Sequence, residues 1–330
     1  MKITPLAILA AALLSPLSAQ AACRLATAEV PVTMQGLRPL VAAKIDGQPV
    51  QLLLDSGAFG SSLTASFAAK AKLPPVTAKA IGSLVPTSAN TLTTGVKGHA
   101  TDTGLVIAPT FEFGGATFPN VKFLTIRDLD GGASGLLGQN LLHGSDDEYD
   151  FKAGVLRLVR PQDCETANLA YWAGPQTTYS VLPLQTAGRN NGGEHTLAMI
   201  SINGQPMRAF FDTGAATSFI TEHAAAKAGV KTSDAGVIPL GQGQGIDGDF
   251  KTWVATFASV KIGDEEIKNG KLAIGQSVAN DFDVLIGADF FMAHHVYVAN
   301  SQGKLYFTYA GGPVFRTAVP QAAAASPPKP

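Results

Sequence analysis

The stretch "INGQPMRAFFDTGAATSFITEHAAAKAGV" at 202–230 aligns without a gap on "IDGQPVQLLLDSGAFGSSLTASFAAKAKL" at 45–73, with Asp212 opposite Asp55. Ile, Gly-Gln-Pro, Asp-x-Gly-Ala and Ala-Ala-Lys-Ala recur at matched places. The match resumes downstream: 111–126 answers 260–275, "GLLGQNLLHG" (135–144) answers "VLIGADFFMA" (284–293), and 153–159 answers 302–308. A period near 150 residues is too long for a solenoid and means two homologous lobes. Each copy drives an acidic residue to the end of an apolar strand. A lone carboxylate there would cost several kcal/mol unless it is paired, hydrogen-bonded or neutral.

Each lobe reads alike. A strand ends at Ile45 or Ile202, and Asp-Gly or Asn-Gly makes a hairpin turn. A second strand runs to the Asp, followed by a Gly turn, a short strand and a short Ala-rich helix. Thr221 is placed to cap the second-lobe helix and Gly229 to stop it. A Gly-rich hairpin region follows, at 82–104 and 236–250, then an apolar pair closing on Gly138 or Gly287. The division expected is an N-terminal lobe over 22–160, a linker over 161–178, a C-terminal lobe over 179–315 and a disordered Ala/Pro-rich tail over 316–330.

The 330 residues allow one large or two ordinary domains. Apolar content of 46% against 15% charged gives ample core, and a net charge of −1 carries no nucleic-acid footprint. Residues 1–21 read as a signal peptide: Lys2, an apolar run from Leu6 to Leu17, and Ala19-Gln20-Ala21. That predicts an exported protein, periplasmic or secreted, with no later stretch long enough to span a bilayer. Cys23 and Cys164 are expected to form a disulfide. The alternatives are free thiols or a lipid anchor on Cys23, although Gln20 stands where a lipoprotein signal has Leu. No metal spacing is present.

Together, "LLLDSGA" and "AFFDTGA", each followed later by "LLG" or "LIG", resemble the clan of aspartic proteases that includes retropepsins and pepsins. Ala after the Gly, and "GQNLL" at 138–142, are most similar to retropepsins. The resemblance covers roughly 30–160 and 180–310. It implies an all-β, two-lobed acid-protease fold of duplicated retropepsin-like barrels with short helices. It also implies an aspartic endopeptidase whose Asp55 and Asp212 activate water, without cofactor or metal. Ser56 and Thr213 would cross-link the lobes beneath the dyad, Gly57 and Gly214 would let backbone amides approach the carboxylates, and Gly138 and Gly287 would pack behind the Asp loops. Ala58 and Ala215 lack the hydroxyl that pepsin-like sites often place there, so a milder pH optimum is expected, roughly pH 4–6. Gln139 and Ala288 stand where retropepsins usually carry Arg. Either hairpin is a candidate flap. The 74–104 segment is longer than a retropepsin flap and lacks an aromatic residue, whereas "GQGQGIDGDF" (241–250) resembles a flap tip through Gly243, Gly245, Ile246 and Asp247. A monomer acting on a peptide or protein substrate is expected. The alternative is a non-catalytic exported peptide-binding protein on the same scaffold.

Other patterns carry less. Gly243-x-Gly245-x-x-Gly248 matches a dinucleotide fingerprint in letters, but an alternating strand-like segment follows it rather than a helix. Asp128-x-Asp130 starts like a calcium loop but lacks its Gly and closing Glu. His294-His295 reads as interface or surface, and Asp146-Asp147-Glu148 as a solvated turn. No Gly-x-Ser-x-Gly elbow is present.

Overall fold

A computed structural model describes residues 23–76, 104–129, 131–185, 195–245, 248–276 and 281–317. The expected signal peptide, most of the first hairpin region, Ile246, Asp247 and the tail beyond 317 lie outside the described residues. The first lobe comprises β1 (Arg24–Gln35), β2 (Arg38–Ile45), β3 (Gln48–Leu54), β4 (Ser62–Thr64), α1 (Ala65–Lys70), β5 (Leu105–Phe113), β6 (Ala116–Ile126), β7 (Gly135–Leu137), α2 (Gln139–Leu142), β8 (Asp146–Asp150) and β9 (Val155–Gln162). The second comprises β10 (Ser180–Pro183), β11 (Leu197–Ile202), β12 (Gln205–Phe211), β13 (Phe219–Thr221), α3 (Glu222–Lys227), β14 (Ile238–Gly245), β15 (Gly248–Ile262), β16 (Glu265–Gly275), β17 (Val284–Ile286), α4 (Ala288–Ala293), β18 (His294–Ala299) and β19 (Lys304–Tyr309).

Each lobe closes a six-stranded barrel. In the first the order is β2-β3-β7-β4-β6-β5, sealed by β2 on β5; in the second it is β11-β12-β17-β13-β16-β15, sealed by β11 on β15. Closure removes the unpaired edges that an open sheet would expose. The turns entering β3 and β12 have the positive φ of the hairpin type expected from Asp-Gly and Asn-Gly: 49° and 74° at Asp46-Gly47, 49° and 78° at Asn203-Gly204. Thr64 and Thr221 cap α1 and α3 by accepting from Phe67 N and Ala224 N. Gly229 follows α3 with φ 83°.

β3 and β12 begin with alternating burial, and each slots between an antiparallel neighbour and a parallel one; β3 ends buried on both faces, whereas Phe210 near the end of β12 is only partly buried. Ile45, Leu52, Leu54, Phe111 and Phe123 fill the first barrel, and Ile202, Met207, Phe211, Phe257 and Ile274 the second, all fully buried. Each such side chain stabilises by about 1.5–3 kcal/mol.

A third sheet joins the lobes in the order β10-β19-β18-β8-β9-β1. Its seam is the antiparallel pair β8–β18, with Tyr149 opposite Val296, Glu148 opposite Tyr297 and Asp147 opposite Val298. This corrects the reading of the acidic run as a solvated turn: Asp146, Asp147 and Glu148 form β8 and are at most 1% exposed. Asp146 accepts from Ser301 N, Ser301 Oγ and Tyr297 Oη, and Asp147 from Ser145 Oγ. Glu148 accepts from Arg157 at 2.6 Å, from His295 at 2.7 Å and from Tyr171. Asp146 and Glu148 are tolerated here because the other lobe, β9 and Tyr171 supply donors. His294 is buried, stacked on Phe290 and bonded to Glu265; His295 stacks on Trp172 at the lobe seam.

Cys23 and Cys164 are disulfide-bonded, so the Cys23 thiol is occupied. β9 runs two residues past the division drawn at 160. Beyond it Leu169 and Ala170 are buried against Tyr297 and Tyr306 rather than strung between lobes. Arg316, at the start of the segment read as a disordered tail, donates its amide to Asp289 at 3.0 Å. Among the described residues no helix is long and apolar enough to cross a membrane.

Candidate active site

Asp55 and Asp212 follow directly on β3 and β12, and each donates its amide to the parallel neighbour, Asp55 to Leu137 O and Asp212 to Ile286 O. The two carboxyls face each other at the base of the cleft between the barrels, each against the glycine of the opposite loop. Asp55 Oδ1 accepts from the amides of Gly57 (3.0 Å) and Ala58 (2.8 Å), and Asp212 Oδ1 from Gly214 (2.8 Å).

Beneath them the loops interlock. Thr213 Oγ1 donates to Leu54 O (2.7 Å) and accepts from Ser56 N (3.0 Å); Ser56 Oγ donates to Phe211 O (3.1 Å) and accepts from Thr213 N (3.0 Å). Both side chains are buried. Four bonds across the lobe boundary therefore satisfy two amides, two hydroxyls and two strand-end carbonyls.

Gly57 and Gly214 serve a purpose beyond an amide's approach. Neither has positive φ. A Cβ on Gly57 would lie 2.3 Å from Asp212 Cγ, and one on Gly214 would lie 2.3 Å from Asp55 Cγ. Each glycine is therefore required by the carboxylate of the opposite lobe. Gly138 and Gly287 are equally confined, by Ala58 O at 2.7 Å and Ala215 O at 2.8 Å from a Cβ position.

Burial pushes the Asp55 carboxyl well above its ordinary range, and the facing charge of Asp212 adds to this. Burial also raises Asp212, although the amide of Gly214 and the bond to Asp55 pull it back. Two carboxyls in contact cannot both ionise cheaply, so they hold one proton between them and titrate as a pair.

Further support comes from Gln139 and from four residues not singled out from sequence, Ser61, Asn140, Ser218 and Asp289. Ser61 accepts from Gly138 N and donates to Asn140; Ser218 accepts from Gly287 N and donates to Asp289. Gln139 Nε2 donates to Ser56 O at 2.7 Å. The signal was in the repeat: Ser61 and Ser218 stand six residues past each Asp, and Asn140 and Asp289 two past each Gly.

The cleft holds about 1040 Å³. The β14–β15 hairpin lines it, with Gly243 opposite Phe250 and Gly245 opposite Gly248. The three glycines of the nucleotide-like pattern thus belong to a hairpin, with no helix after them. Arg127 Nη2, from the first lobe, donates to Gly245 O at 3.1 Å. This contact ties the second-lobe hairpin to the first lobe and was not read from sequence.

A family model described as aspartyl protease matches residues 41–141 and 198–290, more than half of the chain and one segment in each lobe. The chain belongs to the aspartyl protease family. Among solved structures, the chain is similar to the aspartic proteinase from Irpex lacteus, at 13% identity and a TM-score of 0.48, over 89% of this chain and 99% of that one. It is also similar to a retropepsin-like aspartic protease from Rickettsia conorii, at 18% identity and a TM-score of 0.27, over 42% of this chain and 94% of that one. No curated protein matches the chain in sequence. The two closed barrels and the shared sheet, rather than these likenesses, define the fold.

Proposed function

We propose that the chain is an aspartic endopeptidase that hydrolyses peptide bonds with water activated by Asp55 and Asp212. The observation that carries this reading is the facing pair of carboxyls, one from each lobe, at the base of an open cleft. The ionised member takes a proton from a water molecule, which attacks the peptide carbonyl. The protonated member donates to the developing oxyanion, and a further transfer protonates the leaving amine. A proton shared between two carboxyls is the general behaviour of this protease class and is adopted here as such.

The substrate is an extended peptide. The backbone of β14 and β15 offers main-chain donors and acceptors to such a chain, and alternate side chains enter recesses on either side. Export to an oxidising compartment fits the N-terminal segment and the Cys23–Cys164 disulfide. The fused lobes provide both aspartates, so the acting unit is a monomer.

Cleavage of a peptide library by the wild-type protein, lost in Asp212→Asn with the circular-dichroism spectrum retained, is the expected result. A folded wild-type protein that binds peptides across pH 3–7 and cuts none would make it a peptide-binding module instead.

A further inference from the structure

The buttresses behind the two aspartates differ in the residue two places past each glycine. In the first lobe it is Asn140, whose Oδ1 accepts from Ser61 N at 2.7 Å and from Ser61 Oγ at 2.8 Å. In the second it is Asp289, whose Oδ1 accepts from Ser218 Oγ at 2.6 Å and from Ser218 N at 3.0 Å. An amide has one acceptor atom, and one is enough for this pair of bonds. The second oxygen of Asp289, besides sharing Ser218 N at 3.1 Å, accepts from Arg316 N at 3.0 Å. An Asn at 289 would turn its NH2 group on that amide, donor against donor. The carboxylate thus answers a donor that lies outside the repeat.

That donor is delivered by the chain beyond the last strand. After β19, Ala310 N and Gly311 N donate to Ala293 O at the end of α4, and the chain turns on Gly311 and Gly312 at φ 104° and 103°. Val314 and Phe315 then pack on the main core. These anchors set the Arg316 amide on a carboxylate that is 0% exposed, while the Arg316 side chain belongs to an exposed residue. From Asp289 the path to the centre is short. Ser218 Oγ accepts from Gly287 N at 2.9 Å, and the amides of Ala288 and Asp289 donate to Ala215 O and Ala216 O, in the loop that carries Asp212.

We infer that residues 313–316 are a positioning strap for Asp212, acting through Asp289. Taking one donor from a fully buried carboxylate leaves a lone pair unsatisfied, and the surrounding groups must shift to satisfy it or to admit water. Ser218 and the Asp212 loop are the groups bound to that carboxylate, so the shift falls on the reacting centre. The inference rests on the peptidase reading and adds to it a segment beyond residue 290, where the family match ends.

The test compares Arg316→Pro, which lacks the amide hydrogen, with Arg316→Ala, which keeps it. Arg316→Pro should lower kcat at least about tenfold with KM within about twofold, because the displacement is at the reacting groups rather than along the walls. The conservative Arg316→Ala should restore kcat. Asp289→Asn should lower kcat to a similar degree, and the double variant Arg316→Pro/Asp289→Asn should fall no further than Asp289→Asn alone. Amide exchange followed by NMR needs no turnover: it should quicken over 213–218 in Arg316→Pro and stay unchanged over 56–61. Should Arg316→Pro fail to fold, Asp289→Asn carries the test, since it should quicken exchange of the Arg316 amide and of 213–218 together. Wild-type kcat in Arg316→Pro, equal losses in the two Arg316 variants, or additive losses in the double variant overturns the inference. A wild type that cuts nothing, with exchange over 213–218 still responding to Arg316→Pro, sinks only the peptidase reading. Cleavage with neither kcat nor exchange responding sinks only the strap, and no cleavage with no response in exchange sinks both.

Discussion

Glu148 of the first lobe and His295 of the second meet at 2.7 Å across the strand pair that joins the two halves. Glu148 is fully buried. Burial raises its carboxyl, but the bonds from His295, Tyr171 and Arg157 outweigh burial and leave it below its ordinary range. A depressed carboxyl contributes stability above its unfolded value and loses it as pH falls through the folded one. Glu148→Gln should therefore lower stability at pH 7 by roughly 3 kcal/mol, the order seen when one partner of a buried pair is removed. The gap to wild type should begin to narrow as pH falls below about 4, towards the depressed folded value. Thermal melts at pH 7 and pH 3.5 check both parts, and a gap of equal size at the two values would exclude this role for the ionised group.

The dyad has the opposite sign. The Asp55 carboxyl is raised well above its ordinary range by burial and by Asp212. A raised carboxyl costs stability above its folded value and nothing below its unfolded one. Asp55→Asn should thus melt higher than wild type at neutral pH, with the gain vanishing in acid below about pH 4. Peptide cleavage should fall by at least ~10³-fold, because the variant can neither accept nor deliver the shared proton. A variant that melts lower than wild type at pH 7 would show that Asp55 is not under that strain.

Asp147 is a second buried carboxyl raised well above its range, again by burial, and Ser145 Oγ is one of its hydrogen-bond donors. Asp147→Asn keeps the shape and removes the charge. It should raise the melting temperature at pH 7, leave it unchanged near pH 3.5, and leave the cleavage pattern untouched. Differential scanning calorimetry at the two pH values decides it.

Gly57→Ala tests the crowding of the centre. Its Cβ would need space 2.3 Å from Asp212 Cγ, where no carbon fits. The loop must shift, at a cost of about 1–3 kcal/mol in stability. Cleavage should be lost even in the folded protein, because the carboxyls separate. The same substitution at Gly36, where nothing lies within 4 Å of the Cβ position, should leave cleavage intact despite strain from a φ of 63°. Paired kinetics of the two variants distinguish crowding from general backbone strain.

Ala58 already donates its amide to Asp55 at 2.8 Å. A hydroxyl at this position would add a donor to the ionised carboxyl and lower its pKa. Ala58→Ser should therefore move the acid limb of the kcat/KM profile to lower pH, from a wild-type optimum in mild acid. A limb that stays in place would mean that the added hydroxyl bonds elsewhere.

The repeat made most of the architecture legible. Gap-free alignment of two 29-residue blocks determined where each aspartate stands, which strands flank it and which threonine caps the second-lobe helix. The seam was not legible. Asp146-Asp147-Glu148 looks like solvent-facing chain because the donors that cross from the other lobe, Ser301, Tyr297 and His295, lie about 150 positions away, and no local pattern announces them. The buttress of Ser61 on Asn140 and Ser218 on Asp289 lay within reach, since both pairs fall at repeated offsets, but neighbouring apolar residues masked the pattern. The Arg127 contact to Gly245 has no counterpart at the matched second-lobe position, Gln276, so symmetry could not reveal it.

Fusion of the two copies has a consequence visible in the glycines that press on opposite aspartates. Where identical subunits pair, every substitution is applied to both sides at once. In a single chain the copies are free to diverge, except where one copy's backbone bears on the other's chemistry. The centre is held symmetric by that mutual contact, while positions that touch only their own barrel are at liberty to diverge.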